Sequence, residues 1–139
     1  MSSLVLSDAI EELFPAGTRF DSVKPNEDGQ YVEDAFPWTV ARVQIPNTLS
    51  RSIAGTRHAQ RVRIAVTIAG MTYTSVRVIA DKLDTLLEGA RPSAPGWALS
   101  PIRRLNVRDI VEDETITLTT SNRHPVFTVV EWELTATQA

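Results

Sequence analysis

The groups in this chain that could carry chemistry are two histidines, seventeen carboxylates and fourteen basic side chains, twelve of them arginine. An imidazole acts as general base or metal ligand only when a second group converges on it. His58 and His124 both fall in segments that read as turns, and neither has an acidic or histidine neighbour at ligand spacing. Solvated turn residues are the better reading. Carboxylates gather at Glu27/Asp28/Glu33/Asp34 and at Glu112/Asp113/Glu114. A hard cation takes such oxygens, but the ligand rhythm and fixed glycine of a calcium loop are missing, so these read as solvated loop faces. Arg51, Arg57, Arg61 and Arg63 form a basic stripe that could meet phosphate. No aromatic side chains interleave them for base stacking, which makes an interaction surface the better reading and nucleic acid the lesser one.

Other chemistry is missing from the sequence. There is no cysteine, which excludes thiolate metal sites, thiol catalysis and disulfides. The six glycines are scattered, with no phosphate-cradling loop and no G-x-S-x-G, H-E-x-x-H or EF-hand pattern. The expectation is a protein with no catalytic residue, no cofactor and no bound metal, and not an enzyme.

The chain's 139 residues suit one domain, and a chain of that length buries roughly 70% of the surface its unfolded form exposes. A net charge of −3 argues against a free-standing duplex DNA binder. The first residues lack the basic and apolar regions of a signal peptide, and no apolar run approaches the ~20 residues of a membrane span. A soluble protein of a reducing compartment is expected. Arginine outnumbers lysine 12 to 2. A GC-rich genome would produce that bias, and so would protein–protein contact, because guanidinium is weakly hydrated and forks onto carboxylates.

The elements that must position these groups follow from periodicity. Ser7 is read as the cap of a short helix over Asp8 to Phe14 with Ile10, Leu13 and Phe14 as its apolar stripe, stopped by Pro15-Ala16-Gly17. A short strand is expected from Thr18 to Val23, then an acidic loop from Lys24 to Ala35. Phe36 to Ile45 reads as a strand that starts near Pro37 or lies at an edge. Gln60 to Ala69 alternates strictly: Val62, Ile64, Val66 and Ile68 on one side, Arg61, Arg63, Ala65 and Thr67 on the other. From Thr74 to Glu88 the apolar residues Val76, Ile79, Ala80, Leu83, Leu86 and Leu87 make one helical stripe that should cover that strand, and Gly89 is a natural stop. Trp97 to Ile110 reads as a strand broken near Pro101. Glu114 to Thr120 and Val126 to Thr135 read as a terminal hairpin around Ser121-Asn122-Arg123-His124. The expected fold is a single α+β domain, with an antiparallel or mixed sheet of five to six strands and two helices packed on one face.

The pattern also carries a resemblance. Leu13-Phe14-Pro15 ends the first helix, and Glu33-Asp34-Ala35-Phe36-Pro37-Trp38-Thr39-Val40 follows. The strand Gln60-Arg61-Val62-Arg63-Ile64-Ala65-Val66-Thr67 runs directly into a helix ending Leu83-Asp84-Thr85-Leu86-Leu87. Asn122-Arg123-His124-Pro125-Val126-Phe127 and Glu131-Trp132-Glu133-Leu134 come near the end. Over about Ser7 to Thr135, in size, element order and punctuation, the chain resembles the tail terminator (tail completion) proteins of bacteriophages with long non-contractile tails. That resemblance implies a structural virion protein at the head-proximal end of the tail, assembled in the host bacterial cytoplasm. It implies a homo-oligomeric, hexameric ring that caps the tail tube, stops its polymerisation and joins it to the head–tail connector. Its partners would be other copies of itself, the tail tube protein and the connector or stopper protein. DNA would pass through the lumen unread, and no membrane would be involved. A head-completion or stopper protein is the alternative within virion assembly, and a small-ligand-binding bacterial α+β domain is the alternative outside it.

Pro46 to His58 matches nothing in that family pattern. It lies between two strands and carries only Leu49 and Ile53 as large apolar residues, so it reads as a long loop or arm over 46–58, either a long hairpin tip or a mobile arm. Leu49, Arg51, Ile53, Arg57, Arg61 and Arg63 are therefore the candidate residues for a subunit or partner interface.

Overall fold

The computed structural model describes residues 3–18, 20, 37–51, 57–112 and 124–138, with backbone alone at 3, 45–51, 57–58 and 138. Its elements run α1 (Ser3–Glu11), β1 (Trp38–Arg51), β2 (Arg57–Gly70), α2 (Tyr73–Leu87), β3 (Trp97–Leu99), β4 (Arg103–Val107), β5 (Val111–Glu112) and β6 (Val126–Gln138). The strands form one antiparallel sheet in the order β1-β2-β6, and β3, β4 and β5 each pair in turn along β6. The chain is a single α+β domain.

The strict alternation in β2 produces this arrangement. Val62, Ile64, Val66 and Ile68 are fully buried, while Arg61, Arg63, Ala65 and Thr67 keep partial exposure on the opposite face. Register carries the division across the sheet. Ile64 lies opposite Val43 on β1 and Trp132 on β6, and Val66 opposite Ala41 and Val130. On β6 the buried set is Val126, Thr128, Val130, Trp132, Leu134 and Ala136, so Phe127 and Val129 fall on the other face with Glu131 and Glu133. Thr128 satisfies its buried hydroxyl by donating to the Arg108 carbonyl at 2.6 Å.

Both helices cover the buried face. Helix α2 inserts Val76, Leu83 and Leu87 into the same cluster as Leu6 and Ile10 of α1. Thr72 caps α2 by accepting a hydrogen bond from the Ser75 amide at 3.1 Å. Leu86, expected in the stripe, is instead 44% exposed. It stands at the edge of the apolar arc, beyond the reach of the sheet. Helix α1 begins at Ser3, before the predicted cap, so Ser7 is an interior residue. Leu6 and Ile10, one turn apart, are each fully buried and extend the anchor toward the N-terminus.

Two further differences concern the connection between β1 and β2. The segment 46–58 is largely strand: β1 continues to Arg51 and β2 starts at Arg57, paired through Asn47↔Arg61, Thr48↔Gln60, Ser50↔Ala59 and Arg51↔Arg57. Register shifts beyond Gln44 absorb Pro46, which has no amide hydrogen to offer the ladder. A connection expected to span 46–58 is thus a long hairpin, and His58 lies in a strand rather than a turn. The expected break at Pro101 is present. Ser100 bridges it, its amide donating to the Thr135 carbonyl at 2.9 Å and its hydroxyl accepting from the Thr135 amide at 2.8 Å. The predicted strand 18–23 (apart from Thr18 and Phe20), the acidic loop 24–35 and the strand 114–120 lie outside the described residues.

Chemical denaturation should separate the two sides of α2. Leu83→Ala is expected to cost about 2–5 kcal/mol through the cavity it leaves, and charge reversal at exposed Asp81 about 0.5 kcal/mol or less. Gly89 ends α2 at φ +79 with no atom within 4 Å of where a methyl group would stand, and its amide donates to the Ile102 carbonyl at 2.8 Å. Gly89→Ala should therefore lose about 1–2 kcal/mol from backbone strain alone, without any packing clash.

Candidate functional site

The helices leave the second face of the sheet without a helical cover among the described residues, and the pairing register spells out what it presents. One row across the sheet is Gln44, Arg63, Glu133 and Arg103; the next is Arg42, Ala65, Glu131 and Asn106. Arg61 reaches Glu133 at 3.7 Å, and Arg108 reaches Glu131 at 3.7 Å. Five guanidinium groups (Arg42, Arg61, Arg63, Arg103 and Arg108) thus share this face with two carboxylates. At one end the row Trp38, Ala69 and Phe127 forms a small apolar patch with Met71.

Of the residues singled out in the sequence, Arg61 and Arg63 lie on this face. Leu49, Arg51 and Arg57 fall on strands whose side chains are outside the described residues, as is Ile53 altogether. The structure therefore assembles two of the six. The partners that complete the face are Arg42, Arg103, Arg108, Glu131 and Glu133. Alternation already puts Glu131 and Glu133 together opposite Trp132. Nothing local could have added Arg103, because its place opposite Glu133 depends on the β4–β6 register.

On the helical side a cleft of about 670 Å³ lies between α2 and the β4–β5 edge. Ala80, Val107, Ile110, Val130 and Trp132 supply its apolar surface. Arg104 holds one wall: its guanidinium lies 3.4 Å from the Asp84 carboxylate, and its amide donates to the Glu88 carboxylate. The end of α2 is thereby clasped to an edge strand whose five side chains are all exposed. A smaller hollow at the start of α2 is lined by Thr72, Tyr73, Glu112 and His124. Among the described residues no three histidine or acidic side chains are grouped to hold a metal ion, and no helix is long and apolar enough to cross a membrane.

The fold and this face define a two-layer α+β domain with an open, arginine-rich sheet surface. Its backbone is similar to that of a solved protein known only by a serial designation, one of five solved chains that match. That similarity has a TM-score of 0.57 at 19% sequence identity and covers 96% of each chain, which establishes the fold alone. No protein-family model and no curated protein matches the sequence.

The Arg61–Glu133 pair is solvent-screened, with the Arg61 side chain 46% exposed. Arg61→Ala is expected to change unfolding free energy by about 1 kcal/mol or less. Glu88→Ala, which strips the Arg104 amide of its acceptor, should cost about 1–2 kcal/mol, and Glu88→Gln less, since the amide oxygen still accepts. Urea titration of the three variants checks the order.

Proposed function

We propose that this chain is a phage tail terminator, a structural subunit that assembles with its own copies into a ring capping the tail tube and joining it to the head connector. The observation that carries the reading is the order of elements in which the resemblance was found. A short N-terminal helix, a hairpin whose second strand passes through only Met71 and Thr72 into α2, and a terminal strand carrying Glu131-Trp132-Glu133 occur together in one domain. An open sheet face of opposed charges supports it further, because such a surface suits protein contact and subunit register more than chemistry. Within virion assembly, the same features serve a head-completion or stopper protein one ring nearer the capsid.

The cleft beside α2 favours a second reading, a small-ligand-binding domain, since its volume of about 670 Å³ falls within the range of ligand sites and charged side chains line it beside the apolar ones. Negative-stain microscopy separates the readings. Purified protein mixed with tubes of the cognate tail-tube protein should appear as a density at one tube end and arrest elongation. A stopper would bind the connector side and leave tubes growing. Protein that associates with neither tubes nor connector would sink the assembly reading and leave the ligand-binding one.

A further inference from the structure

Charge is segregated between the two layers of this domain. Among the described residues, the open sheet face carries Arg42, Arg61, Arg63, Arg103 and Arg108 against Glu131 and Glu133, a surplus of three positive charges (five minus two). The layer behind it is opposite in sign at α1. Residues 3–18 contain Asp8, Glu11 and Glu12 and no lysine or arginine, a local charge of −3.

Helical geometry turns those acids outward. Leu6 and Ile10 are fully buried, so the opposite side of α1 is formed by Leu4, Asp8 and Glu12, with Val5 and Glu11 beside them. Asp8 and Glu12 are exposed, and Leu4 and Val5 are 67% and 38% exposed. A basic face therefore stands on one side of the sheet and an acidic patch with two exposed apolar side chains on the other.

We infer that a second copy of this chain docks front to back, the arginine face of one subunit receiving the outer side of α1 of the next. The inference rests on the ring reading above for closure of the assembly, but the choice of surfaces comes from charge. Two arginine faces placed together would repel, which disfavours a two-fold contact through that face. Face against α1 sets +3 against −3. Leu4 and Val5 add apolar area that ion pairs alone would lack, and guanidinium stems tolerate such contact because the group is weakly hydrated. A front-to-back contact is heterologous, and repetition closes into a ring or continues as a filament according to the rotation between neighbours.

Two charge-reversed variants test it. The front variant carries Arg42→Glu and Arg61→Glu, and the back variant carries Asp8→Arg and Glu12→Arg. All four sites are exposed, and circular dichroism and thermal melting verify that each variant folds. Sedimentation velocity of the wild type at low salt should show concentration-dependent association that weakens as salt is raised. Each variant alone should associate roughly tenfold or more weakly, since both of its patches then share one sign. An equimolar mixture should regain association, because the altered face of one variant meets the altered helix of the other and the remaining contact is native.

A wild type that stays monomeric at every concentration, a back variant that associates normally, or a mixture that fails to recover would overturn the inference. The tube-capping assay run in parallel keeps it apart from the functional reading. Rescued association without capping rejects the tail terminator and leaves the docking mode standing. Capping by variants that do not associate rejects the docking mode and leaves the terminator. Where a variant does not fold, the conservative pair Arg42→Gln with Arg61→Gln replaces the front variant, and its expected result is loss of the salt dependence.

Discussion

Everything in this domain depends on the two-sidedness of β2. Among the described residues it is the one strand with long partners on both edges, and its apolar residues fall at every second position without interruption from Val62 to Ile68. Slipping its register by one residue would bury Arg61 and Arg63 under the helices and expose the valines and isoleucines. That penalty fixes the faces of β1 and β6 through their pairing, and so fixes where Trp132 sits. Burial of four β-branched side chains in one strand is worth roughly 1.5–3 kcal/mol each relative to exposure, before the entropy of ordering them is counted.

The far side of the sheet is assembled differently. Among the described residues, the outer partner of the long strand β6 comes in three separate pieces, Trp97–Leu99, Arg103–Val107 and Val111–Glu112. Such a broken edge is a poor template for unwanted strand addition. Side chains tie this edge along its length: Ser100 beside the proline break, Glu88 and Asp84 onto Arg104, and Thr128 onto the Arg108 carbonyl just beyond β4. Helix α2 thus holds the edge as well as the core, and its apolar floor remains open as a cleft beside that clasp.

With both helices on one face of the sheet, the described residues leave the other face without a helical cover. Here that face is neither apolar nor uniformly charged. Its arginines surround two glutamates at the spacing of the ladder, which gives directional contacts that are individually weak and collectively selective. Such a surface is suited to setting the register of one subunit on another. In the proposed ring assembly, these side chains of β1, β2, β4 and β6 would set the register between neighbours.

Elements whose periodicity spans several turns or residues were legible in the chain alone. Val62 to Ile68 announced a half-buried strand, Val76, Leu83 and Leu87 a covering helix, Gly89 its end, and Pro101 a break. Those signals are local, because alternation and helical spacing are written in consecutive side chains. The boundaries of weakly apolar segments were not legible. Residues 46–51 carry a proline and polar side chains, and become strand because the opposing strand supplies a ladder and bulges absorb the misfit. The arginine face was half legible: Arg61 and Arg63 from alternation within β2, Glu131 and Glu133 from alternation within β6. That Glu133 stands between Arg63 and Arg103, and that Asp84 and Glu88 hold Arg104, emerged from the folded sheet, since pairing between strands distant in sequence is chosen by burial over the whole sheet.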